Sequence, residues 1–162
     1  GQPVDPAALR RWVQAAGDET SLSTLHRLIE VTRAGEERAP AAADRDEWLA
    51  VRGEIHLALA TRGSRVAIYD LRESLERTTS PLPADFASAL RLVGDATCLE
   101  PLAGAIARMP IDIETREHGI HDRLVEAGRA IVEREKITRR QAAARKILKT
   151  WPDAAALILE TK

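Results

Sequence analysis

Apolar residues recur at spacings of three and four along most of this 162-residue chain, which is the period of an amphipathic helix. The pattern is interrupted at Gly17, Gly63 and Gly94. Matching apolar residues stand eight and four positions before these glycines: Leu9 and Val13, Ile55 and Leu59, Phe86 and Leu90. A second apolar stripe follows each glycine at matching offsets. The spacing therefore predicts a helix, a break and a second helix, written three times.

The downstream halves of the first and third copies also agree residue by residue. The stretches 17–30 and 94–107 share six identities in fourteen aligned positions without a gap. Leu25, Leu71 and Leu102 occupy the same offset, so we expect them to be equivalent buried residues. Each glycine is predicted to end its first helix in a left-handed conformation. Side chains just after it are predicted to cap the second helix, namely Asp18, Thr20 and Asp95, with a capping box over 97–100.

The stretches GDETSLSTLHRLI and GDATCLEPLAGAI resemble HEAT repeats of the short bacterial kind, also called PBS-lyase HEAT-like repeats. The resemblance covers about residues 6–108. It implies an all-α fold, a right-handed α-solenoid or α-α superhelix of stacked antiparallel helical hairpins. The hairpins are expected at about 6–33, 46–77 and 84–108, and the extra residues between them form a loop or a lengthened helix. Divergent helices are expected over about 113–160, as in terminal repeats.

Composition narrows the possible classes of protein. Hydrophobic residues make up 44% and charged residues 30%, as in a globular domain, and we treat 1–162 as one domain, whole or part of a longer array. The single cysteine, Cys98, excludes an intrachain disulfide. No apolar run approaches the roughly 20 residues of a membrane span. With no visible signal peptide, we expect a cytoplasmic protein, although the chain starts at Gly1 without a methionine.

No catalytic or cofactor motif is present, so we expect neither enzymatic activity nor a cofactor. Glu114, His118 and His121 lie four and three residues apart, a spacing that puts a carboxylate and two imidazoles on one helix face and suits a divalent metal. A fourth ligand is not identifiable, so we expect a solvated helix face and no metal site. Cys98 aligns with the small residues Ser21 and Ala67, which indicates a buried structural cysteine.

The resemblance implies a binding surface, because the second helices of a HEAT-like stack line its concave face. The residues predicted to meet a partner there are Arg27, Tyr69, Asp70, Arg72 and Glu73. Their mixed charge and single aromatic ring suit a protein or peptide. The expected function is therefore a non-enzymatic protein–protein interaction or scaffold module. The competing interpretation is that Tyr69 packs on a neighbouring hairpin and Arg72 pairs with a nearby acid.

A basic segment near the end of the chain favours a second function. After Lys136 no acidic residue occurs before Asp153, and the predicted outer helix face carries Arg139, Arg145, Lys146 and Lys149. The opposite, buried stripe is predicted to hold Ile137, Gln141, Ala144, Leu148 and Trp151. Such a patch meets phosphates or an acidic protein, or is merely solvated. The alternative is thus a nucleic-acid binder resembling HEAT-like DNA alkylation-repair glycosylases. The net charge of −1 and 3% aromatic content make nucleic acid the less favoured partner.

Overall fold

A computed structural model describes residues 4–77, 81–109 and 117–160, and this part of the chain is helical without any strand. The predicted all-α class is confirmed. The helices are α1 (Pro6–Ala16), α2 (Leu22–Arg38), α3 (Ala42–Thr61), α4 (Ile68–Arg77), α5 (Ala84–Val93), α6 (Leu99–Arg108), α7 (Glu117–Arg134), α8 (Ala142–Thr150) and α9 (Pro152–Leu159). A 3₁₀ turn, Ala96–Cys98, leads into α6.

Side chains cap the starts of α1, α2 and the 3₁₀ turn, whereas α3, α5, α6, α8 and α9 begin without a hydrogen bond from a capping side chain. Asp5 accepts a hydrogen bond from Ala7 N at 3.1 Å and places Pro6 at the first position of α1, where proline is favoured. Ser21 caps α2 by accepting from Thr24 N at 3.2 Å, so the choice of Asp18 or Thr20 was wrong. Asp95 accepts from Thr97 N at 2.9 Å and starts the 3₁₀ turn. The predicted capping box over 97–100 is wrong because this turn already occupies Thr97.

The three glycines of the repeat do not share one backbone conformation. Gly63 is left-handed, with φ 73°, but Gly17 and Gly94 have φ of −58° and −59°. The predicted left-handed cap is therefore correct at Gly63 alone. At Gly94 the reason for glycine is space, because a Cβ would lie 2.6 Å from Ile131 Cδ1 on α7.

The extra residues between the first two copies lengthen α2 and α3 rather than form a long loop. Helix α2 continues to Arg38, and α3 begins at Ala42. They cross closely because Gly35 has no side chain, and a Cβ there would overlap the indole ring of Trp48. Further along, residues 113–116 of the predicted α7 lie outside the described part. Helix α8 starts only at Ala142, because residues 138–141 form a turn in which Gln141 N donates to Thr138 O at 3.1 Å. Gln141 is consequently exposed instead of buried.

Helix contacts follow two rows. Helices α1, α3, α5, α7 and α9 contact one another in chain order, and α4, α6 and α8 do the same, while α2 packs along α3. Close contacts run within these rows, from α2 to α3 and from α8 to α9, and α6 also packs against α7 and α9. The pairs expected to form hairpins, α1–α2, α3–α4 and α5–α6, are less closely packed.

The apolar core is divided into two clusters. The smaller one joins α1, α2 and α3 and contains Leu25, Ile29 and Ile55. The larger one extends from α4 to α9 and contains Phe86 and the leucines Leu71 and Leu102. Leu25, Leu71 and Leu102 are 0%, 2% and 0% exposed, which confirms their predicted burial. Each fully buried aliphatic side chain contributes about 1.5–3 kcal/mol to folding.

Candidate functional site

Charged and polar side chains are buried where α2, α3 and α4 meet, at the boundary between the two apolar clusters. Arg52 and His56 come from α3, one turn apart, and are 6% and 1% exposed. Asp70 and Ser74 come from α4, again one turn apart, and are 8% and 5% exposed. We call this group, together with the half-buried charged residues that contact it, the Asp70 network: Arg33, Glu36, Arg52, His56, Asp70, Glu73 and Ser74.

Asp70 is the centre of the network. Its Oδ2 accepts hydrogen bonds from Arg52 Nη1 and His56 Nε2, each at 2.7 Å, and its Oδ1 accepts from Arg33 Nε. The backbone oxygen of Asp70 accepts from Ser74 Oγ at 2.6 Å. One carboxylate thus holds together a residue from α2 and two from α3. A buried carboxylate is tolerated only with such compensation, because losing water costs several kcal/mol.

Arg52 extends the network to the other helices. Its Nε lies 2.8 Å from Glu36 Oε2 and its Nη2 lies 3.2 Å from Glu36 Oε1, a two-pronged pairing with α2. Its guanidinium carbon stands 5.2 Å from the centre of the Phe86 ring on α5. The His56 ring centre lies 5.4 Å from the same ring. Arg52 therefore has carboxylates on two sides and an aromatic ring on a third.

Burial and charge set the protonation of the two central groups. Burial is the largest influence on His56 and lowers its pKa below the ordinary 6.5, against the opposing effect of Asp70. For Asp70, burial alone would raise the pKa, but the hydrogen bond from His56 and the charge of Arg52 outweigh it and hold the pKa well below 3.8. Asp70 is therefore charged at neutral pH. A neutral His56 must carry its proton on Nε2, since the carboxylate can only accept.

A groove opens beside the network, between α2 and α4 and above α3. Its volume is about 320 Å³. The lining residues are charged for the most part: Arg33, Glu36, Glu37, Arg45, Asp46, Leu49, Arg52, Glu73, Ser74, Arg77 and Leu82. Positively and negatively charged side chains alternate around the groove, and Arg77 Nη1 lies 2.9 Å from Glu73 Oε1 at its rim. This mixed lining is not suited to a single type of ion.

The predicted partner-binding residues fall into two groups. Tyr69 is 69% exposed, so it does not pack on a neighbouring helix as the competing interpretation required. Arg27 is also exposed, on α2. Asp70 is buried, and Arg33 links it to half-buried Glu73, with Arg33 Nη2 3.3 Å from Glu73 Oε2. The Nε of half-buried Arg72 has no hydrogen-bond partner in the described part of the chain.

Sequence reasoning missed Arg33, Arg52 and His56 as parts of this arrangement. A signal for two of them was present in α3. Apolar residues at Trp48, Val51, Ile55 and Leu59 mark the buried face, and Arg52 and His56 fall on that same face. Polar residues at core positions of a helix indicate a buried polar network. The third member, Arg33, lies on α2 and is 37 residues from Asp70, so no local pattern identifies it.

The histidine motif considered for metal binding lies partly outside the described residues. Glu114 is not described, and nothing is described of the His118 side chain. His121 is 5% exposed, with Nδ1 3.5 Å from Asp122 Oδ1, so the expectation of a solvated face was wrong for it. Within residues 4–77, 81–109 and 117–160, no group of three or more His, Cys, Asp or Glu side chains is placed to hold a metal ion.

The remaining sequence candidates are on the surface or in the core as expected. Arg139, Arg145 and Lys149 are exposed. Lys146 Nζ lies 2.9 Å from Glu100 Oε2, so part of the basic patch is paired. Cys98 is fully buried, and burial raises the pKa of its thiol, which disfavours the reactive thiolate.

No family model matches the chain, and neither a curated protein nor a solved structure shows significant similarity to it. The HEAT-like resemblance therefore depends on the repeated residues alone. None of the described helices is both long enough and apolar enough to cross a membrane.

Proposed function

We propose that this chain is a non-enzymatic protein-interaction module, built as a HEAT-like solenoid that presents α2 and α4 to a protein or peptide partner. The threefold recurrence of the glycine-centred motif supports this arrangement. So do the two rows of helices that contact in chain order, since each unit of a solenoid touches mainly its neighbours.

The observation that carries the proposal is the position of Tyr69. Its side chain is 69% exposed, although it is the second residue of a helix whose next two residues, Asp70 and Leu71, are buried. A tyrosine offers a large apolar area at low cost in side-chain entropy, and it is enriched at interface hot spots. An exposed tyrosine on a firmly held helix is therefore a ready contact for a partner.

The Asp70 network supports the same proposal by fixing α4. Asp70 binds Arg33 of α2 and Arg52 of α3, so three helices are joined directly beneath Tyr69. A surface that is rigid before binding loses less entropy when a partner docks. In this proposal Tyr69 and Arg27 contact the partner, while Asp70 positions the helix that carries Tyr69.

A photo-crosslinker at position 69 tests the proposal. Benzoylphenylalanine in place of Tyr69 should yield a discrete protein adduct in extracts of the native host, because a partner covers this position. The same group in place of exposed Arg11 on α1 should yield none. The crosslinked protein is then purified and titrated. Tyr69→Ala should weaken its binding by about tenfold or more, as for an interface hot spot, with the circular-dichroism spectrum unchanged.

Two results would contradict the proposal. One is an adduct that forms equally well from positions 69 and 11, since this would indicate nonspecific contact. The other is a purified partner whose affinity is unchanged by Tyr69→Ala but reduced by Arg145→Ala. That outcome would place the binding surface on α8 instead.

A further inference from the structure

Four helix connections lie together at one edge of the molecule. They are 17–21, 62–67, 94–98 and 135–141, which follow α1, α3, α5 and α7. We call them, with the helix residues that contact them, the loop edge. Arginines join them: Arg62 donates to Thr20 O, and Arg134 donates from Nη1 to Arg91 O at 2.8 Å and from Nη2 to Gly94 O. Arg65 Nη2 lies 3.8 Å from Glu135 Oε1, which brings the second and fourth connections together.

The loop edge concentrates positive charge that is dispersed in the sequence. Seven exposed basic residues lie on it: Arg62, Arg65, Arg91, Arg134, Lys136, Arg139 and Arg140. The first and third connections also carry the acidic residues Asp18, Glu19 and Asp95, so the excess of positive charge lies around the second and fourth connections. The acidic residues there are Glu133 and Glu135, and Glu135 already contacts Arg65. Residues 136–152 hold six basic residues and no acidic one, whereas the other 18 basic residues of the chain are outnumbered by its 25 acidic residues. The near-neutral net charge therefore conceals a strong separation of charge.

Apolar side chains are exposed among these cations. Val66 is 46% exposed, Tyr69 is 69% exposed and Leu92 is 40% exposed. Backbone hydrogen bonds from Ile68 N to Arg65 O and from Leu71 N to Ala67 O extend the helical turn at the start of α4 back to Arg65. Val66 and Tyr69, three residues apart, consequently lie on the same side of this turn. Leu92 follows Arg91, whose backbone oxygen is held by Arg134.

We propose that the loop edge binds an acidic peptide segment that also carries aliphatic side chains, presented by the protein partner. This rests on the proposed function and deepens it, because Tyr69 belongs to both surfaces. Arginine forks pair with carboxylates through two hydrogen bonds, and Val66 and Leu92 give the aliphatic side chains a place to be buried. A nucleic acid would use the same cations, but its bases stack on aromatic rings, and the described loop edge has only Tyr69 to offer.

Fluorescence anisotropy with a labelled synthetic peptide of glutamates and leucines tests the proposal on the whole chain. The peptide should bind at physiological salt, and its affinity should fall as salt rises. Arg65→Glu/Arg139→Glu should raise Kd by about tenfold or more, because two attractions become repulsions. The matched control is Arg11→Glu/Arg38→Glu, which changes the net charge equally at exposed positions away from the loop edge and should leave Kd within about twofold. Val66→Ser should also weaken binding, through lost apolar contact.

The proposal is overturned if a peptide with serine in place of leucine and lysine in place of glutamate binds as tightly as the original peptide. It is also overturned if the control double variant weakens binding as much as the loop-edge variant. Single-stranded DNA that binds more tightly than the acidic peptide and displaces it would overturn both this inference and the proposed function. If Tyr69→Ala weakens binding of the crosslinked partner while Arg65→Glu/Arg139→Glu leaves that binding unchanged, only the acidic-segment inference fails.

Discussion

Helices α5 to α9 pack through apolar side chains, whereas α2, α3 and α4 also meet across charged ones. In the first region Phe86, Leu102 and Ile131 are fully buried within one continuous cluster. In the second, Arg52, His56 and Asp70 occupy positions that would otherwise belong to the core. Apolar packing tolerates small adjustments of register, but a set of directed hydrogen bonds does not. The charged junction thus fixes how α4, and Tyr69 with it, lies against α2 and α3.

Removing the central carboxylate should have the largest effect. We expect Asp70→Asn to reduce the free energy of unfolding by about 3–5 kcal/mol, because it removes the buried carboxylate that Arg52 and Arg33 share and leaves them only the half-buried Glu36 and Glu73. Urea denaturation followed by circular dichroism measures this. Asp18→Asn, the same substitution at an exposed position, is the control and should change stability by less than about 0.5 kcal/mol. Equal effects at the two positions would show that the network does not stabilise the junction.

Truncating a buried leucine measures the stability contribution of the apolar packing, for comparison with Asp70→Asn in the charged junction. Leu71→Ala should cost about 2–5 kcal/mol, since Leu71 is 2% exposed and the cavity left behind can collapse only in part. Leu25→Ala and Leu102→Ala should fall in the same range, because both side chains are fully buried. An unchanged urea midpoint for Leu71→Ala would be incompatible with the packing described for α4.

Acid should weaken the charged junction before the apolar region. Below pH 6.5 an unfolded histidine takes up a proton, but folded His56 does not, because its pKa is lowered. The unfolded state then binds more protons, so stability decreases as pH falls, by up to about 1.4 kcal/mol per pH unit. Asp70 adds a second loss in the same direction below its ordinary pKa of 3.8, since its folded pKa is held lower still.

The pH effect is measured as unfolding free energy between pH 7.5 and pH 5. The loss over this range should shrink in His56→Gln, which keeps a polar side chain but cannot take up a proton there. His26→Gln, a change at an exposed histidine on α2, is the control and should leave the slope unchanged. A slope that survives in His56→Gln would assign the acid sensitivity to another group.

The smallest effects are expected at two helix ends of the same geometry. Gly63 ends α3 with φ 73°, and Lys136 ends α7 with φ 53°. At both ends a backbone N–H reaches back to the last turn, from Ser64 N to Leu59 O at 3.0 Å and from Ile137 N to Val132 O at 2.9 Å. Gly63→Ala should cost about 1 kcal/mol, and Lys136→Gly should stabilise by up to about 1 kcal/mol. Thermal unfolding resolves both, and changes of equal sign would contradict the left-handed assignment.

The sequence alone determined the helical class, four of the six hairpin bounds and the buried leucines, because these depend on a period of three to four residues and on neighbours within one turn. Asp5 and Pro6 mark the start of α1 in this local way. The sequence did not determine which side chains from different helices contact one another. Arg33 and Asp70 are 37 residues apart, and Arg65 meets Glu135 from a different connection. Only the tertiary structure decided these pairs, since the contacts that select them depend on how separate helices cross, and a helical period carries no such information.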